Sequence, residues 1–205
     1  MAAKIKKMMP RVVFHKLQKL YSDMQASYDQ VASELDFTCK GCPDNCCNSF
    51  FRHHTRVEWA YFWKGLLQCH SEIRLEIIRR AEAYVQQMHA NPSLDRDPLI
   101  MCPVNFDGWC VLYQHRLMIC RLHGVPSTHT APGGRSRAFP GCFRCREKTE
   151  NLTQVPTLDR TRFYHQLAWL EQSYVGPRIV KMDKVNLTLA EMIVHGPPFN
   201  SGLKD

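Results

Sequence analysis

"CKGCPDNCC", residues 39–47, sets four thiols within nine positions, two of them adjacent. In Cys39-x2-Cys42 the two intervening residues let both sulfurs turn inward around one metal, and Gly41 permits the tight backbone this needs. Cys46 and Cys47 follow three residues later. Adjacent side chains diverge in a turn or an extended segment, so these two sulfurs need not serve the same ion. Two readings stay open. One member of the pair closes a first centre while the other faces a second, or Cys47 is a small buried hydrophobe packed behind the site.

Working outward, Cys102-Pro103-x6-Cys110-x9-Cys120 forms a second set and Cys142-x2-Cys145 a third, while Cys69 stands alone and reads as core packing. Ten cysteines in 205 residues is a dense usage. The start, MAAKIKKMMPRVVFHK, has neither an apolar h-region nor a small-residue cleavage site, so the expected location is the reducing cytoplasm. There, dense cysteine reads as metal binding rather than a disulfide framework. The expected ligands are Cys39, Cys42, Cys46, Cys47, Cys102, Cys110, Cys120, Cys142 and Cys145. They are enough for two tetra-thiolate sites with at most one spare. Zinc takes four such ligands in structural sites, and iron–sulfur clusters take four with freer spacing.

The formal charge of +8 counts every Cys as neutral. Each tetra-thiolate zinc or oxidised [4Fe–4S] centre carries about −2, so two would bring the total to about +4. The basic excess then partly offsets buried negative charge and says little for a nucleic-acid partner. No apolar run approaches the roughly 18 residues that span a bilayer. A membrane partner is not expected, and the redox or protein partner is left open.

The rest of the chain reads as helices around these loops. Val13, Leu17, Leu20, Tyr21, Met24, Tyr28 and Val31 recur at steps of three and four, which predicts an amphipathic helix over 12–35. Thr55-Arg-Val-Glu58 reads as a capping box opening a second helix. Ser71 is the expected cap of a third helix, which closes near Asn91-Pro92. Residues 91–110 look loop-like, a short helix is expected over 111–121, and 123–157 is a Gly/Pro/Ser/Thr-rich excursion, either mobile or tied down by its own Cys pair. A helix over 158–174 and a second capping box, Thr188-Leu-Ala-Glu191, complete the pattern. The expected fold is mainly α: a small helical domain around a loop-borne, Cys-rich metal core. Residues 1–35 form an N-terminal helical extension, 36–150 the metal-binding domain, and 151–205 a C-terminal helical extension on the same core.

Arg116 and Arg121 flank Cys120, where guanidinium groups can donate to ligating sulfur and offset its charge. An exposed basic face is the plainer reading. His53-His54 is the histidine pair best placed to replace a thiolate or to support one, against the plainer reading of a polar loop entering the helix at Thr55. Glu58, Asp107 and Asp159 are assigned to caps and turns. Pro132-Gly133-Gly134 reads as a turn, and no G-x-G-x-x-G follows a strand.

Together these pieces resemble the YkgJ-type cysteine-cluster family. The matching motifs are Cys39-x2-Cys42-x3-Cys46-Cys47, Cys102-Pro103, Cys110-Val-Leu-Tyr113 and Arg116-Leu-Met-Ile-Cys120-Arg121, across roughly 36–145. Leu117 stands where the family usually has Pro, and Cys142/Cys145 exceed the family's minimum. The resemblance implies zinc or iron chelation. One related branch is similar to a flagellin lysine methylase that uses S-adenosylmethionine. The expected function is a metal-binding protein carrying one or two iron–sulfur clusters of the [4Fe–4S] type, with a redox or electron-transfer role. A structural zinc module and a methylase-like enzyme are the alternatives.

Overall fold

The computed structural model describes residues 6–40, 42, 46–90 and 99–199. It is mainly helical: α1 (Pro10–Glu34), α2 (Arg56–Gln68), α3 (Ser71–Ala90), α4 (Met118–Leu122), α5 (Phe143–Thr149), α6 (Thr161–Val175) and α7 (Leu189–Val194). Strands are short. β1 (Asn105–Phe106) and β2 (Trp109–Cys110) make a hairpin, and β4 (Ser136–Phe139), β3 (Ser127–Thr130) and β5 (Leu158–Asp159) make a small sheet in that order. The β3–β4 pair is antiparallel and β3–β5 is parallel. No described helix is long and apolar enough to cross a membrane.

The predicted apolar face of α1 is the buried one: Val13, Leu17, Leu20, Tyr21, Met24 and Val31 all face the interior. Pro10 at its first turn suits a position where the N–H would be unpaired anyway. α6 presents Phe163, Leu167, Leu170 and Tyr174 to the same cluster. The pivot is α2, which has two apolar sides. Val57, Ala60 and Tyr61 pack with α1, α4, α6 and Cys145, whereas Phe62, Trp63 and Leu66 pack with α3, α7, Val104, Leu112 and Leu117. One helix thus joins two cores. The indoles of Trp59 and Trp63 both donate to the Met192 carbonyl, at 2.9 and 3.0 Å, and fix α7 across the second core.

Several boundaries differ from the expectation. Thr55 is the N-cap of α2, yet its side chain caps nothing: it donates to Glu58, which is turned inward. The α2 terminus is capped from α6 instead, where Glu171 accepts the Val57 N–H at 2.8 Å and pairs with Arg56 at 3.7 Å. Ser71 is already helical, and α3 ends at Ala90, so the expected close at Asn91-Pro92 lies outside the described residues. Within 91–110 an Asp107-Gly108 turn, with φ of 50° and 86°, closes the β1–β2 hairpin. Positive φ at both central residues is what a type I′ turn needs, and the Asp-Gly pair was its signal. The helix expected over 111–121 is a 3₁₀ turn, Tyr113–His115, followed by the shorter α4, so Arg116 lies outside the helix that bears Cys120. The 123–157 excursion is ordered by β3, β4 and α5. The Thr188–Glu191 capping box forms as expected.

Candidate metal centre

The thiols gather from separate stretches of chain. The 3₁₀ turn Cys46–Asn48 is pinned to the 102–110 segment by a hydrogen bond from the Cys102 N–H to the Cys47 carbonyl at 2.9 Å. The β1–β2 hairpin then returns Cys110 opposite Asn105. Asn105 braces both neighbours: its side chain is hydrogen-bonded to Cys47 and accepts the Gly108 N–H at 3.1 Å. Cys120 arrives on α4, whose start is held by Glu58. That buried carboxylate accepts from the Met118 N–H at 2.7 Å and from Tyr21 at 2.9 Å. Cys47, Cys102, Cys110 and Cys120 all line one cavity of about 280 Å³, with Phe62, Leu112 and Leu117 among its walls. Cys39 and Cys46 reach the same cavity.

Electrostatics binds this set together. Burial pushes the thiols up: Cys110 to about 11 and Cys120 to about 12, with Cys102 well above its ordinary value. For Cys102 and Cys120, the neighbouring thiols add to the rise. Cys47 goes the other way, to about 6, chiefly through its hydrogen bond with Cys46, then through Asn105 and Arg116. Cys46 holds its proton correspondingly, so the adjacent pair gives up one proton readily and the second with difficulty. Arg116 opposes the rise at Cys110 and Cys120, and Arg121 does so at Cys110. Arg116 stacks on Tyr113, 3.5 Å from its ring centroid. Arg121 is buried over Tyr21 and donates to the carbonyls of Arg116 and Gln114 at 2.8 and 2.7 Å. Arg121 therefore also holds the backbone that leads into α4. An exposed basic face does not describe it.

A second neighbourhood lies on the other core. The Tyr28 hydroxyl is hydrogen-bonded to Cys39 and lies in the field of Cys142 and Cys145. Cys145 is fully buried in the α1–α6 cluster, and Cys142 packs against it. Burial raises Cys145 to about 11. Among the described residues no group of three or more Cys, His, Asp or Glu side chains is arranged to hold one metal ion. Both sets are gathered but not closed, and the cysteines carry no disulfides.

Cys69 packs against the second core, its thiol 3.7 Å from the Gly65 carbonyl, away from either set's partners. His53 is buried, lines the main cavity and is held in place by a two-way backbone bridge to Leu187. Burial, followed by the field of His54, depresses it to about 3, so its imidazole is neutral at ordinary pH. The His54 ring is turned to the Val185 carbonyl at 3.2 Å. His123 also lines the cavity, edge-on to Phe51, a placement its position beside the Cys120 helix hinted at. The part played by Glu58 and Asn105 was not legible, because the sequence carries no sign of which acid or amide turns inward. Asp159 caps α6, accepting the Thr161 N–H at 2.8 Å, and Asp107 sits in the hairpin turn. Comparison with known proteins returns no matching family model, no matching curated protein and no matching solved structure.

Proposed function

We propose that this chain is a cysteine-ligated metal protein in which Cys47, Cys102, Cys110 and Cys120 hold an iron–sulfur cluster with a redox or electron-transfer role. The observation that carries the reading is the convergence of these four thiols, from three separated segments, on one cavity of about 280 Å³. The donor chemistry fits, since thiolates are the ligands such clusters take. Around a tetrahedral zinc, with Zn–S bonds of about 2.3 Å, neighbouring sulfurs stand roughly 3.8 Å apart.

When bound, such a cluster supplies one-electron transfer at a potential set by its charge, hydrogen bonds and burial. The protein's own groups fit that task. Arg116 and Arg121 offset negative charge at the thiols, which favours the reduced state. Phe62, Leu112 and Leu117 keep one side of the cavity apolar. Trp109 and Tyr113 line it and are exposed, so the path from the thiols to the surface is short at that rim. Full-chain protein purified without oxygen is expected to be brown and to contain iron with acid-labile sulfide. Cys120→Ser is expected to lose most of both. A colourless protein with zinc alone would reject the cluster.

The methylase-like alternative has less support. The one parallel pair among the described residues, β3–β5, matches only two residues of each strand and has both β4 and α5 between its strands in the chain, unlike the open parallel sheet that cradles a nucleotide. Titration with S-adenosylmethionine by calorimetry tests it directly, and binding heat would bring it back.

A further inference from the structure

We propose that Cys39, Cys42, Cys142 and Cys145 form a second, separate thiolate site for a single tetrahedral cation of the zinc class, which fastens α5 to the segment following α1. The proposal rests on the reading above only in taking thiols as metal ligands. Its four residues are two Cys-x2-Cys pairs, the spacing at which two sulfurs on one turn can meet one ion. The first pair is folded back on itself, the Cys42 N–H donating to the Cys39 carbonyl at 3.1 Å. In the second pair Cys142 is the N-cap of α5 and Cys145 lies within its first turn.

Independent contacts bring the two pairs together. Lys148 on α5 donates to the Asp36 carbonyl and pairs with its carboxylate at 3.4 Å, and Arg144 reaches the Lys40 carbonyl at 3.5 Å. Tyr28 spans the gap, hydrogen-bonded to Cys39 and close to Cys142 and Cys145. The approach is tight. At Gly141, with φ of 87°, a Cβ would meet the Gly124 carbonyl at 2.5 Å and the Cys145 Cβ at 3.2 Å. That close approach holds the turn entering α5 against the Gly124–Val125 backbone and fixes where Cys142 and Cys145 stand. Cys39 is exposed and Cys42 half-buried, so rotation of these two side chains closes the set around an ion. Cys142 and Cys145 belong to the α1–α6 core, whereas Cys102 and Cys110 belong to the α3–α7 core, so the two sites draw on different halves of the fold and adjoin at Cys39, which also lines the main cavity.

The test measures zinc and iron per chain in the anaerobically prepared full-length protein and in two paired variants. Cys142→Ser/Cys145→Ser is expected to lose about one equivalent of zinc and keep the iron. Cys102→Ser/Cys120→Ser is expected to do the reverse. Unchanged zinc in the first variant, or loss of both metals together in each folded variant, would overturn the proposal. Should a variant lose its helical circular dichroism, cobalt titration of the unaltered chain decides. A tetrathiolate cobalt spectrum saturating at one equivalent, with added protection of α5 amides from hydrogen exchange, upholds the site, and absence of either overturns it. A colourless chain holding one zinc on this set would sink the cluster reading while leaving this one standing.

Discussion

Glu58 accepts hydrogen bonds from Tyr21, Thr55 and the Met118 amide at 2.7–2.9 Å, those from Tyr21 and Met118 in the interior. Burial raises its pKa above the ordinary carboxylate value, against the lowering effect of those donors. Glu58→Ala leaves two buried donors and the half-buried Thr55 hydroxyl unpaired and is expected to cost about 2–4 kcal/mol, read as a fall in the denaturant midpoint. It should also loosen the start of α4 and reduce metal retention at Cys120. His53 gives a pH prediction. Its folded pKa of about 3 lies below the unfolded value of about 6.5. The unfolded chain therefore binds the extra proton between those values. Stability from this group is full above about pH 6.5 and is lost as pH falls toward 3, with a limiting slope of about 1.4 kcal/mol per pH unit. Denaturant titrations of His53→Gln should show a flatter acid limb, and an unchanged slope would show that His53 is not the group responsible.

Among the elements, the β1–β2 hairpin is the most consequential for the site because it fixes Cys110 relative to Cys102. Gly108 has φ of 86°, where any side chain is strained. Gly108→Val is expected to destabilise the fold by roughly 1–2 kcal/mol and to lower metal occupancy more than it lowers helix content. Glu171→Ala removes the cap that α6 lends to α2, together with the Arg56 ion pair, at a cost of about 1–3 kcal/mol in thermal or chemical denaturation. A midpoint unchanged within error would show that water replaces the cap without loss.

At the scale of the molecule, α2 couples two cores, and Cys39 touches both thiol neighbourhoods. With four thiols on each proposed centre, ten minus eight leaves two, Cys46 and Cys69, open to an alkylating reagent in the loaded, folded protein. All ten should react after denaturation with chelator. Ten fast-reacting thiols in the folded, metal-loaded chain would contradict both centres. Metal uptake should also release protons, because Cys110 and Cys120, at about 11 and 12, are protonated at neutral pH. Calorimetry in buffers of different ionisation enthalpy measures that release, and apparent affinity should rise with pH.

The sequence by itself determined the helical class, the buried stripes of α1 and α6, and the clustering of cysteines along the chain, because apolar periodicity and side-chain chemistry are local properties. The Thr188–Glu191 box was legible for the same reason: its partners are three residues apart. Only the tertiary structure decided that the outwardly identical box at Thr55 would turn its acid inward, since the Met118 amide that claims Glu58 lies sixty residues away. It alone decided which thiols lie near one another. Cys39 lies beside Tyr28, Cys142 and Cys145 and also reaches the cavity lined by Cys47, Cys102, Cys110 and Cys120. That arrangement follows from which core each segment packs against, and long-range packing leaves no mark in the spacing of neighbouring residues.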